Sequence, residues 1–341
     1  MNTFCVLPWY SVELPKNSPC CLLPKNANVD QIKNDLLAGI KPEACTKCWA
    51  VEDAGNPSRR QLENQFLDYK LNRNLNLIQQ DCIDGKNIPL LYQLTTSNLC
   101  NQACVSCDSN LSSKWADVKR KNNLPAMTPV SLNIENLDIN YAQARRISLI
   151  GGEPLFDPKT FKILQNLIDI NNTDCFVTLV TNGSIKLNSL HVDMLKKLTD
   201  LNICISIDGT DTVFEYLRWP GKWTKLVENI DHYRSITPNI SVSYTISALN
   251  VLYYDQTVDW FKKNNLRYNH NVVQFPQWLA VKNMPVELKH YLKNHDFFKD
   301  FCKITGNEIK KEKFLNYLVQ QDKMKKTDHL TALPELCRIL Q

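Results

Sequence analysis

The chain has 341 residues, 43% of them hydrophobic and 22% charged, which is enough to bury the core of one large domain and a smaller companion. A net charge of +5 is too small to argue for a nucleic-acid partner, and no basic, aromatic-interleaved patch marks an RNA-modifying surface. No apolar run reaches the roughly 18 residues of a membrane helix, so no membrane association is expected.

The opening stretch, "MNTFCVLPWYSVELPKN", has no positive segment followed by a long apolar one, so no signal peptide is expected and the cytoplasm is the expected location. In that reducing compartment the 13 cysteines do not read as a disulfide framework. Five of them, Cys5, Cys20, Cys21, Cys45 and Cys48, crowd the first 48 residues.

Residues 1–85 read as a small cysteine-rich module with linker helices. Trp9–Val12 and Cys20–Leu23 are expected as short strands joined by the turn former "PKNSP". A helix is expected from a cap at Asn28 to a stop at Gly39. "CTKCW" opens a second helical stretch, and a polar helix follows near Ser58–Arg73. So small a unit reads as poorly cored and in need of a staple, for which metal is the available means.

From residue 86 to 281 apolar, β-branched runs recur: "IPLLYQLTT", "RISLIGG", "CFVTLVTNG", "LNICISIDG", "NISVSYTIS" and "NHNVVQFP". Helical periodicity separates them at Ser112–Lys121, Pro158–Ile170, Ser189–Leu198, Trp223–Arg234 and Asp255–Lys263. This alternation predicts an α/β fold with a parallel sheet, either a partial, TIM-like (β/α)6 barrel or a doubly wound sheet. Both architectures gather chemistry at the C-terminal ends of strands. Four of the nine glycines, Gly151, Gly152, Gly183 and Gly209, fall at such ends, where they either make turns or let backbone approach a ligand. Residues 282–341 show no strand pattern. They read as a C-terminal helical segment, "ELKHYLKNH", "EKFLNYLVQQ" and "TALPELCRIL", with the lysine-rich Lys310–Lys326 as a solvated face.

The first strand ends in "SNLCNQACVSC", which places Cys100, Cys104 and Cys107 at gaps of three residues and then two. Structural zinc wants a fourth protein ligand, yet no fourth cysteine adjoins the motif and the nearest histidine in sequence is His191. A four-iron cluster has four ligand sites, and three thiolates leave one iron open to a small molecule. Just beyond, Ser112, Ser113 and Trp115 are expected to cap the next helix and pack at the sheet edge.

The three-cysteine motif after one strand and "GGEP" after the next resemble the radical S-adenosylmethionine (radical SAM) enzymes, over residues 88 to about 280. The resemblance implies a 4Fe-4S cluster on Cys100, Cys104 and Cys107 whose open iron binds the amino and carboxylate groups of SAM. Reductive cleavage of SAM would then give a 5′-deoxyadenosyl radical that abstracts hydrogen from a substrate. It further implies that Gly151, Gly152, Glu153 and Pro154 meet the methionyl amino group. Asn182 and Ser206 would lie near the ribose or carboxylate. Arg218 is a carboxylate partner, or else a surface ion pair with Glu215. The chain departs from the family's habit at Ser106, where an aromatic or large apolar residue is common.

The N-terminal pattern, one cysteine, a Pro-Cys-Cys and then Cys-x2-Cys, resembles the twitch module, a shortened SPASM module with an auxiliary 4Fe-4S cluster. Cys5, Cys20, Cys45 and Cys48 match its ligands, with Cys21 the alternative to Cys20. On chemistry alone four thiolates suit structural zinc equally well. Together these resemblances imply a peptide or protein substrate, or a small polar molecule such as a sugar, and an electron donor such as flavodoxin or ferredoxin. The reading from another class is a non-catalytic iron–sulfur or zinc protein that senses redox state or binds partners.

Overall fold

The computed structural model of the chain describes residues 3–127 and 137–340. Seven parallel strands form one sheet: β1 (Ser11–Leu14), β2 (Leu91–Thr95), β3 (Arg146–Ile150), β4 (Phe176–Thr181), β5 (Leu201–Ser206), β6 (Ile240–Ile246) and β7 (Arg267–Val272). They lie side by side in sequence order. A doubly wound sheet reverses its order at a switch point. This one does not, so the partial barrel is the correct alternative. The six expected strands are β2 to β7. The seventh comes from the N-terminal segment, where Ser11–Leu14 pairs in parallel with Leu91–Leu94. No Cys20–Leu23 strand forms. That stretch is a turn, joined back to β1 by a lone bridge between Glu13 and Ser18.

Sixteen helices accompany the strands among the described residues. In the N-terminal segment they are α1 (Leu7–Tyr10), α2 (Val29–Leu37), α3 (Thr46–Asp53), α4 (Arg59–Leu71) and α5 (Leu75–Ile83). Asn28 caps α2, and Gly39 follows it at φ +77°. Ser58 and Gln61 form a reciprocal capping box at α4. The sheet is interleaved by α6 (Ser113–Lys121), α7 (Pro158–Asp169), α8 (Ser189–Lys196), α9 (Asp211–Leu217), α10 (Trp223–Arg234) and α11 (Tyr254–Lys263). The chain closes with α12 (Val286–Leu292), α13 (Lys299–Lys303), α14 (Lys311–Lys325), α15 (His329–Ala332) and α16 (Pro334–Leu340). The single helix expected over "TALPELCRIL" is two, because Pro334 cannot donate to the preceding turn.

Alternation along the strands sorts the sheet's two faces. Leu94, Ile147, Leu149, Val177, Leu179, Ile203, Ile205, Val242 and Tyr244 are buried, packed in one core with Phe161 and Leu164 of α7, Ile230 of α10 and Phe261 of α11. The opposite face carries polar rows. Glu13, Gln93, Ser148, Thr178 and Asn202 run in register across β1 to β5, and Ser206, Ser243 and Asn269 across β5 to β7, with Ile150, Val180 and Cys204 on the same face nearer the strand ends. A fully covered parallel sheet would be apolar on both faces. The polar lining marks the inner face of an open barrel.

The N-terminal segment carries its own apolar core, in which Phe4, Trp9, Ile32, Leu36, Trp49, Leu67 and Ile78 pack together. This corrects the expectation of a poorly cored unit. The other side of α4 crosses the starting ends of the strands. Arg59 pairs with Glu13, Glu63 with Arg146 at 2.6 Å, Phe66 packs at a tilt against Phe176, and Lys70 reaches Asp200 at 2.5 Å. With that end closed, the chemistry falls to the C-terminal ends.

Candidate active site

The loop after β2 is tied on every side. Ser97 donates to Asp157 at 2.6 Å, the Cys100 amide donates to Ser113 Oγ at 3.0 Å, and Ser112 Oγ donates to the Gln102 carbonyl at 2.6 Å. Ala103 N–H donates to Trp219 O at 2.7 Å and Val105 N–H to Leu217 O at 2.8 Å, strapping the cysteine loop to the segment after α9. Ser112 caps α6 as expected. Trp115, expected at the sheet edge, instead lies against this loop and donates from Nε1 to Cys104 O at 2.7 Å.

Cys100 is buried and Cys104 and Cys107 are partly so. The Gln102 amide points to Cys100 Sγ at 3.5 Å and Asn182 Nδ2 to the same sulfur at 3.9 Å. Burial, with the Cys104 sulfur as neighbour, pushes Cys100 and Cys107 up to about 12. Burial also raises Cys104, opposed by Arg218 and Lys325. All three are protonated thiols at neutral pH until a metal displaces the protons.

The Gly151–Pro154 turn abuts the loop. Gly152 N–H donates to Ser97 O at 2.9 Å and Glu153 N–H to Leu99 O at 2.8 Å. A Cβ on Gly151 would lie 2.6 Å from Ser97 O, and one on Gly152 2.4 Å from Leu99 O. The close approach that these glycines permit is therefore to the cysteine loop's own backbone. Glu153 is buried and spoken for: its carboxylate accepts from Leu155 N at 3.0 Å, Thr181 Oγ1 at 2.7 Å and Asn182 N at 2.5 Å. Burial nevertheless pushes it up to about 7. Its side chain ties the ends of β3 and β4 together, so any contact from this turn to a ligand falls to the backbone and Pro154.

Asn182 also donates to Asn101 Oδ1 at 2.9 Å, joining the end of β4 to the cysteine loop. Ser206 sits on the inner face of β5, in register with Ser243. Arg218 is buried and pairs through Nε with Asp208 at 2.9 Å. Glu215 pairs instead with Lys222, so the surface pair expected for Arg218 does not form. Burial opposes the Arg218 charge, but Asp208 and the sulfurs of Cys104 and Cys100 hold its pKa above the usual range. Asp208 was missed in the sequence. It also accepts from Thr245 N at 3.0 Å, and its signal was the acid within the strand-end "SIDG".

The N-terminal cysteines form a second gathering. Cys5, Cys20, Cys45 and Cys48 line one largely enclosed cavity, walled by Leu7, Leu23, Ile32 and Leu36 and with Arg60 at its side. Burial, then the other three sulfurs, raises Cys5. Burial pushes Cys20 and Cys45 up to about 11. Cys21 is exposed, outside the cavity, beside the Arg59 guanidinium. Among the described residues, the one trio of His, Cys, Asp and Glu ligand atoms within 4.8 Å of one another is Asp322, Asp328 and His329. There the carboxylates already cap and brace α15. Neither cysteine set is drawn to the spacing of one tetrahedral ion, whose thiolates stand about 3.8 Å apart.

Residues 94–263 match the sequence model of the Radical SAM superfamily. Among curated proteins none matches. Among solved structures, anSMEcpe with bound AdoMet is 15% identical, with a TM-score of 0.44, over 65% of this chain and 63% of that one. SuiB of Streptococcus suis bound to S-adenosylmethionine is 14% identical, with a TM-score of 0.41, over 67% of this chain and 51% of that one. SuiB bound to the precursor peptide SuiA is 13% identical, with a TM-score of 0.39, over 88% and 67%. This chain thus spans less than two thirds of the first two. The three-thiol loop at the end of β2 lies inside the matched region. Residues 94–263 are a radical SAM domain.

Proposed function

We propose that Cys100, Cys104 and Cys107 ligate a SAM-binding 4Fe-4S cluster at the mouth of the open barrel, and that the substrate is a peptide or protein segment lying along the barrel's inner face. The observation that carries this reading is the position of the cysteine loop, strapped at the C-terminal ends of the strands beside a face lined by amides and hydroxyls. When bound, the cluster and SAM supply reductive cleavage of the sulfonium to a 5′-deoxyadenosyl radical. The chain's own residues do the rest. The Gln102 amide and Asn182 Nδ2 donate to Cys100 Sγ and favour its thiolate. Arg218, fixed by Asp208, places a permanent positive charge beside the same sulfurs. Gln93, Asn202, Asn269 and Asn271 offer donors and acceptors without charge, which suits main-chain amides. Beyond β6 the outermost strand, β7, has a free edge in the described sheet, and an extended peptide can add to such an edge.

A second reading, oxidation or rearrangement of a small polar molecule such as a sugar, draws on the hydroxyls of Ser148, Thr178, Ser206 and Ser243 on that face. In the N-terminal segment the reading is an auxiliary 4Fe-4S cluster on Cys5, Cys20, Cys45 and Cys48, forming a twitch-like module. Support comes from the four sulfurs sharing one cavity at wider than single-ion spacing. Four protein ligands would leave that cluster closed, able to carry an electron or hold the module together. A flavodoxin or ferredoxin would supply the electron to the first cluster. The test is anaerobic reconstitution, followed by dithionite and SAM. The reading expects 5′-deoxyadenosine and about eight irons per chain. Four irons and one zinc would make the N-terminal site structural zinc, and iron loading without deoxyadenosine would sink the assignment of the first site.

A further inference from the structure

The lysine-rich stretch 310–326 does not lie wholly in solvent. Lys325, the last residue of α14, is 3% exposed. Its Nζ has no hydrogen-bond partner and sits 4.4 Å over the Trp115 ring. Trp115 is the residue that donates to Cys104 O. The same helix holds the cysteine loop at two further points. Tyr317 OH donates to Val105 O at 3.2 Å, and Met324, like Cys107, packs against the cluster of Ala103, Trp115 and Val118. Burial pushes the Lys325 amine down to about 7, and the Cys104 and Cys107 sulfurs and Asp322 act against that fall. Asp322 is already engaged by His329 and Thr327. A buried ammonium without a partner is unfavourable, and the aromatic face compensates only in part. The missing anion is the thiolate-bound group that the neighbouring cysteines would hold.

We propose that Lys325 is a positioning residue for the cluster: a buried counter-charge, carried in on the C-terminal helical segment, that makes the cluster easier to reduce. The inference rests on the assignment of Cys100, Cys104 and Cys107 as cluster ligands. Reduction adds one negative charge to the cluster, and a fixed cation in a low-dielectric setting favours the state with more negative charge. Removing it therefore shifts the potential downward. Arg218 sits beside the same sulfurs but is neutralised by Asp208, so Lys325 supplies the uncompensated charge.

The test is an EPR-monitored redox titration of the full chain, reading the signal that changes on adding SAM, with iron counted in each sample. K325M is expected to keep its iron and to lose at least tenfold in the reduction equilibrium, a 59 mV shift to lower potential for one electron. K325R, which keeps the charge, is expected to stay near the parent. If K325M loses its cluster, K325Q, which keeps a polar chain of similar reach, is titrated instead and carries the same expectation. Intact iron with unchanged potential in both neutral variants overturns the inference. So does a weakened SAM affinity at unchanged potential, which would assign Lys325 to the SAM carboxylate. A parent protein with no SAM-sensitive cluster defeats the underlying ligand assignment, a result distinct from the other two.

Discussion

The two cysteine gatherings differ in what surrounds the sulfur. At the barrel mouth a single loop supplies three thiols, and its amides are bonded to residues over a hundred positions away, at Leu217 and Trp219. Two buried cations, Arg218 and Lys325, stand beside those sulfurs. In the N-terminal cavity four thiols come from three separate stretches of chain, and the walls are leucine and isoleucine. Lys47 also lines that cavity, and Arg60 at its side is taken up by Glu52 at 2.7 Å and by Phe4 O at 2.7 Å. The first setting can accommodate a charge that changes. The second, with its largely apolar walls, suits a charge that stays constant, and its four thiols draw three stretches of chain together. Ligand loss at the mouth should therefore end chemistry with little cost in stability, and ligand loss in the cavity the reverse.

The sharpest break of that contrast pairs C104A with C48A. C104A should abolish deoxyadenosine formation and halve the iron, while the denaturation midpoint moves by less than about 1 kcal/mol. C48A should also halve the iron but lower stability by at least about 2 kcal/mol, because metal binding that joins chain segments is folding free energy. Equal stability losses in the two variants would erase the distinction. Next is R218M, which leaves Asp208 buried without its counter-ion. Removal of one partner from a buried ion pair costs roughly 3–5 kcal/mol. The mouth would then prove less tolerant of losing its cation than its cysteine, and guanidinium denaturation of the iron-free protein measures this directly.

These expectations draw unevenly on what the sequence displayed. The cysteine spacing, the strand ends and the helix caps at Asn28, Ser58 and Ser112 are local patterns, and each appears where its residues placed it. Features made by distant approach were not visible. Ser11–Leu14 joins a sheet whose next strand begins 80 residues later. Lys325 reads as one of many exposed lysines until α14 is laid across Trp115. For Arg218 the sequence leaves a carboxylate partner and an ion pair with Glu215 as alternatives, whereas the fold presents Asp208 from a strand end. The glycines of "GGEP" mark a close backbone approach, but which backbone they approach is set by the fold. A Cβ there meets Ser97 and Leu99 backbone before it meets anything else.

Glu153 gives the mouth a pH signature that the cavity lacks. Its carboxyl titrates near 7 when folded, against a reference of 4.5, because burial outweighs three hydrogen bonds. Between those values the folded state holds more protons than the unfolded one, so stability is full below about 4.5 and falls as pH rises through about 7. The fall should reach up to about 3 kcal/mol. E153Q should flatten this slope between pH 5 and 8. Near pH 5 it should be less stable by about 1–3 kcal/mol, since an amide cannot accept from Leu155, Thr181 and Asn182 together, and that gap should close as pH rises through about 7. A slope that persists in E153Q would place the titrating group elsewhere.

The smallest effect bears on the cavity's membership. Cys20 and Cys21 are adjacent, and sequence cannot choose between them, but consecutive side chains here point to different surroundings. Cys20 lines the cavity with Cys5, Cys45 and Cys48, while Cys21 is exposed against Arg59. Burial raises both thiols and Arg59 opposes it at both, but Cys21 is the exposed one and so the more readily modified of the two. C21S should retain the full iron content and change stability by no more than about 0.5 kcal/mol. C20S should lose the N-terminal iron. A loss of iron in C21S with retention in C20S would reverse the choice of ligand. It would also draw Arg59, and through it Glu13 on the barrel's inner face, into the surroundings of the second site.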